Sequence, residues 1–168
     1  TITFSEAGIY DAGVCPLVAV SNDKKCNSFS FVAPLGGVSV KLTGEVAITR
    51  VEITAKGGEI INGNMSVKAD KDGVRSIEMT GVTSTTVIEC KAGIQLTKVA
   101  KDFVVFLPYG VYSEGFSIKV QSSDGALNFI NVDGPQKITK ARILNISRQQ
   151  FVVYSDINAS SSERANCY

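Results

Sequence analysis

The sequence predicts an all-β fold, a two-sheet β-sandwich with little or no helix. Three observations carry this. Short runs rich in β-branched and aromatic residues recur along the chain, separated at regular spacing by Gly, Pro, Asn and Asp clusters. No segment has the three-and-four spacing of apolar residues that an amphipathic helix needs. Residues 103–120, FVVFLPYGVYSEGFSIKV, join two strands of different character. Within them, 103–107 is a continuous apolar run, too short for a buried helix, and reads as a strand covered on both faces. Pro108 has no N–H for a ladder and ends that strand. After a connection at 109–114, Phe116, Ile118 and Val120 alternate with Ser117, Lys119 and Gln121, the pattern of a strand with one wet face. A closed barrel is the alternative architecture.

The other elements follow in chain order. Residues 1–4 are β-prone, an edge strand or a frayed end, and 5–14 have little periodicity. Residues 16–20 are apolar, 21–27 form a polar turn, and 29–32 resume as a strand. Pro34 to Gly37 interrupts it, and Val38, Val40 and Leu42 then alternate with Ser39, Lys41 and Thr43. Gly44 and Glu45 turn the chain. Val46, Ile48, Val51 and Ile53 alternate, and the slip between Ile48 and Val51 marks a bulge or register break. Gly57–Gly58 is a turn, and 62–64 reads as another. Residues 65–69 and 74–79 flank a DKDG hairpin tip at 70–73, and 85–90 is a strand closed by a turn at Ala92–Gly93. Later strands are expected over 126–132, over 137–146 and in the short run at 151–154, with turns at 122–125 and 133–135. The organisation is one β-sandwich domain over 1–155 and a mobile polar tail over 156–168.

Composition limits function. A length of 168 residues suits one domain, and 44% apolar with 20% charged residues is a globular mixture. The net charge is +1 and the cations are scattered, so the basic stripe that a phosphate backbone requires is missing. No apolar stretch approaches the ~20 residues of a membrane helix. The chain begins at Thr1 without a recognisable signal peptide, which fits a processed N-terminus. Histidine is absent, which removes Ser–His and Cys–His pairs and His-liganded metals. Tryptophan is absent too, which weakens a sugar-stacking platform.

Candidate sites are few. Cys15 and Cys26 flank a short loop and form a candidate disulfide, with separate thiols as the alternative. No cysteine pair has the C-x-x-C spacing of a zinc or redox site, and Cys90 reads as a small core residue. Asp70, Asp72 and Gly73 begin like a calcium loop but lack its remaining ligands, so the tip reads as solvated. Glu45, Glu52, Glu59, Glu78 and Glu89 are spread over different segments and read as wet-face residues. There is no nucleophile elbow and no phosphate loop, and no cofactor or metal site is expected. N-x-S sequons at Asn64, Asn145 and Asn158 matter only where N-glycosylation machinery exists.

Three segments, taken in order, resemble the fimbrillin-like proteins of Bacteroides and their relatives. They are FSFVAPLGGVSVKLTG at 29–44, VTSTTVIECKAGIQLT at 82–97 and FVVFLPYGVYSEGFSIKVQSSDG at 103–125. The match spans about 29–146, and each motif alone is ordinary β-sandwich grammar. The resemblance implies a transthyretin-like sandwich, exported to the cell surface or outer membrane, often as a lipoprotein anchored by a lipid that this chain does not carry. It implies a non-enzymatic fimbrial or adhesin-type subunit that assembles by strand exchange. Its partners would be other fimbrial subunits or a host surface protein or glycan. The departure is size, because such proteins usually carry two domains and this chain has room for one. Phe151, Val152, Val153 and Tyr154 form the candidate strand-exchange segment, since four adjacent apolar residues after the last matched segment need a sheet edge; that edge is either a neighbour's or, as expected in an isolated domain, one of their own sandwich. The alternative function is a carbohydrate- or ligand-binding module at the cell surface, which predicts exposed Tyr109 and Tyr112.

Overall fold

A computed structural model describes residues 2–3, 16–21, 28–70 and 72–152. The described residues form fourteen strands and no helix. The largest sheet has five strands in the order β1 (Ile2–Thr3), β8 (Thr85–Gln95), β5 (Ala47–Ala55), β11 (Gly115–Ser122) and β12 (Leu127–Asp133). A three-stranded sheet places β4 (Leu35–Thr43) between β14 (Ile143–Gln150) and β9 (Lys101–Pro108). Three strand pairs stand apart: β2 (Val18–Ser21) with β3 (Phe29–Val32), β6 (Asn62–Asp70) with β7 (Gly73–Thr83), and β10 (Gly110–Tyr112) with β13 (Gln136–Ile138). The all-β expectation is met and the architecture is consistent with a sandwich, but the strands divide among five sheets rather than two.

Period-two alternation explains the core. Val38, Val40 and Leu42 of β4 and Phe103, Val105 and Leu107 of β9 turn one way. They meet Val51 and Ile53 of β5, Ile88 and Cys90 of β8, and Phe116, Ile118 and Val120 of β11 in one buried cluster. Covering both sheets' inner faces removes their apolar side chains from water at about 25 cal/mol per Å². Phe103, Phe116 and Ile118 are fully buried. The outward face of β5 carries Arg50, Glu52 and Thr54, the polar half of the same alternation.

Several expectations need correction. Val104 is buried on the second face of β9, but Phe106 is only half-buried, so the run at 103–107 is covered unevenly. Residues 62–64 are the start of β6, not a turn. Ala92–Gly93 does not end β8. The partner of Ile48 is Ile94 and that of Arg50 is Glu89, so residues between them bulge out, and Gly93 takes a φ of 73° within the bulge. This register break is the one read from the slip after Ile48. Thr49 steadies it by donating from Oγ1 towards the carbonyls of Gln121 and Ser122, at 3.3 Å each. The interruption expected at 34–37 is confined to Ala33 and Pro34. The strand expected over 137–146 is two strands with a turn between them, because Ala141 adopts a φ of 52°. Cys15, Cys26, Val153, Tyr154 and the tail at 156–168 lie outside the described residues.

Candidate functional site

Both main sheets are open, and one end strand of each, β12 and β14, lines a common groove. β12 pairs only with β11, in antiparallel register, and β14 pairs only with β4, in parallel register. Each therefore offers a row of backbone donors and acceptors that no described strand satisfies. The two edges bound an open groove of about 280 Å³. Ile130, Asn131 and Val132 of β12, with Gln136, line one side. Leu144, Asn145, Ile146, Ser147 and Gln149 of β14 line the other. Ile130 and Ile146 are buried, so the floor of the groove is the rim of the core. At one end Asn128 Nδ2 donates to the Gln150 carbonyl at 3.5 Å, a long tie across the gap.

A second open cavity of about 500 Å³ lies where β14 ends. Thr43, Gly44, Val46, Gln150, Phe151 and Val152 line it, and Glu45, Lys98 and Arg148 bring charge to it. Phe151 belongs to the core of its own domain: its ring is buried and its N–H donates to the Thr43 carbonyl at 2.8 Å. Val152 is exposed. Of the candidate strand-exchange segment, then, the described half divides into an anchored Phe151 and a free Val152.

The carboxylates do not converge on a reacting centre. Glu52 and Glu89 do come together on the outer face of β5 and β8, but Arg50 sits between them, 3.1 Å from Glu52 and 2.6 Å from Glu89. Glu78 meets Lys68 at 3.5 Å. Asp70 and Asp72 are bridged by Arg75 at 2.5 and 2.7 Å, which offsets part of the negative charge of the hairpin tip. No group of three or more metal-ligating side chains occurs among the described residues.

Glu59 is a carboxylate held by hydrogen bonds from another segment of the chain. Its Oε1 accepts the Ser113 N–H at 2.6 Å and the Ser113 hydroxyl at 2.9 Å, tying the β5–β6 turn to the β10–β11 turn. Burial pushes its pKa up, but the backbone and hydroxyl hydrogen bonds outweigh that and hold the carboxyl below its ordinary value. Next to it, Tyr112 is buried, packs on Phe116 with ring centroids 4.9 Å apart, and donates to the Pro108 carbonyl at 2.7 Å. Burial, with the charge of Glu59, raises its phenol well above the usual range. Tyr112 is thus a core residue, which corrects the expectation of an exposed Tyr109–Tyr112 platform. Cys90 is buried as expected, and desolvation, with Glu89 nearby, raises its thiol to about 11.

The chain matches no protein-family model and no curated protein. The groove had no signal in the sequence. Its two walls come from strands that are not consecutive, and the parallel pairing of β14 with β4 joins residues about a hundred positions apart. The sequence predicted a strand over 137–146, but not which edge it would leave open.

Proposed function

We propose that this chain is a structural subunit of a cell-surface assembly, of fimbrial or adhesin type, that works by strand-mediated protein–protein contact rather than by catalysis. The observation behind this reading is the groove between β12 and β14, two unused strand edges over an apolar floor. An extended segment of a neighbouring subunit lying there would gain main-chain hydrogen bonds from an edge and seat alternate side chains on Ile130, Val132, Leu144 and Ile146. A contact between a strand of one copy and a groove of the next is head-to-tail, so it does not close and grows a chain of subunits. The same reading takes the fold as the transthyretin-like sandwich that the resemblance implies. It takes the location as the cell surface or outer membrane and the partners as sister subunits or a host surface molecule. The alternative of a glycan platform loses support from the burial of Tyr112.

Val132 tests the reading, because it lines the groove yet is only partly buried. Val132→Lys puts a charge among the groove's apolar side chains. Light scattering over a concentration series is expected to show self-association in the parent protein and its loss in the variant. Thermal melting checks that the variant remains folded. A folded variant that associates like the parent would sink the groove reading.

A further inference from the structure

We infer that the β6–β7 hairpin is a hinged arm that two copies of this chain exchange, each arm seating on the other copy's body. This is independent of the groove between β12 and β14. Among the described residues the two strands pair only with each other. From 62 to 83 no residue whose burial is described is buried or belongs to the core cluster. The ribbon is nevertheless amphipathic. Met65 faces Met79, Val67 faces Ile77 and Ala69 faces Val74, all of them half-buried. The opposite face pairs Ser66 with Glu78 and Lys68 with Ser76. A two-stranded ribbon is marginal by itself in water, so it needs a seat.

The seat is small and polar. Lys140 Nζ donates to the Val74 carbonyl at 2.9 Å and stands 4.4 Å from the centre of the Tyr109 ring. It is thereby held between a cation–π contact on the body and a carbonyl on the arm. The following residue, Ala141, keeps a left-handed φ of 52° and donates its N–H to the Leu35 carbonyl at 2.9 Å. A non-glycine residue keeps such a conformation only where its surroundings impose it, which fixes the turn that presents Lys140. Strand β2 also contacts the arm, beside β6.

The base of the arm is built to bend. Gly63 lies opposite Gly81; a Cβ on Gly63 would overlap the Gly81 backbone, and one on Gly81 would overlap the Asn62 carbonyl. The register also shifts between Asn62 and Gly63. A glycine pair beside a register break is the place where such a ribbon pivots most easily. Every group of the seat is carried by each copy, so an exchanged dimer remakes the closed monomer's contacts and loses none. The closed monomer dominates at low concentration because its own seat is nearer. It follows that the Lys140 clamp sets how fast arms exchange, not how the monomer and dimer balance.

The test uses the full chain and an equal mixture of unlabelled and ¹⁵N-labelled protein, concentrated and treated with an amine cross-linker. A link between a lysine of the arm and a lysine of the body that carries one isotope on each side reports an exchanged arm. The expected result is mixed-isotope links that appear in the dimer fraction and grow with concentration. In Lys140→Met they should appear about tenfold sooner, the effect of losing one hydrogen bond to a charged donor, and Lys140→Arg should restore the slow rate. Deuterium exchange over 62–83 in the parent monomer should likewise run ahead of β4, β5 and β11. Same-isotope links alone at every concentration would overturn the inference, as would an arm that exchanges deuterium no faster than those strands. The parent-protein experiment decides the matter even if a variant fails to fold.

Discussion

Removing the ring of Phe103 should cost far more stability than removing that of Phe106, three residues along the same strand. Phe103 is fully buried opposite Val40, inside the shared core of the two main sheets. Phe106 is half-buried on the other face, opposite Gly37. Phe103→Ala loses a whole ring's transfer free energy and leaves a cavity that rigid strands on both sides cannot fill, a cost of about 3–5 kcal/mol. Phe106→Ala gives up roughly half of a 1.5–3 kcal/mol burial term and opens onto solvent, so about 0.8–1.5 kcal/mol is expected. Equilibrium denaturant unfolding, compared at the midpoints with slopes unchanged, measures the difference. Equal losses, or a greater loss at Phe106, would refute the assignment of the inward face of β9 and with it the core described above.

Other outcomes follow from local geometry. Gly115 has a φ of 78°, and a Cβ there would run into the Val132 carbonyl; Gly115→Ala should cost at least about 2 kcal/mol, and an unchanged melting temperature would contradict this. Glu59 and Asp124 have carboxyl groups held below their ordinary values of 4.5 and 3.8, Glu59 by Ser113 against the pull of burial and Asp124 by Ser122 and the Ala126 N–H. Their stabilisation is therefore full above the unfolded values and is lost as pH falls through the folded ones. Melting temperature should drop below about pH 4.5, with a shallower slope in Glu59→Gln, Asp124→Asn, and a slope identical to the parent's would count against both hydrogen-bond sets. Cys90, buried and with its thiol raised to about 11, should resist alkylation at pH 8 until the protein unfolds. Peptide mapping that finds Cys90 labelled in the native protein would place it wrongly in the core.

Local pattern carried most of the strand reading and little of the site. Alternation at 38–42 and 116–120 identified the inward residues, because burial on one face of a strand acts with period two. The slip at Ile48 located a real register break. The pattern misled where glycine and asparagine had other roles. Gly63 and Gly81 allow close backbone approach inside a ribbon, and Gly93 serves a bulge in a continuing strand. Tyr112 looked like a polar loop residue because its hydroxyl needs a partner, and the carbonyl that satisfies it belongs to Pro108, on the strand just before it. Which strand edges stay open depends on pairing over long sequence separation. The partner of β14 could not be read from 143–150 alone.

The central claim, that subunits join at the edges of β12 and β14, is tested most directly by amide deuterium exchange of the monomer against the self-associated protein. Strand addition satisfies edge N–H groups that face water in the monomer. The account predicts new protection confined to Leu127–Asp133, to Ile143–Gln150, or to both, with the central strands β5 and β4 unchanged. Association that leaves both edges as unprotected as in the monomer, or that protects another surface instead, would contradict it.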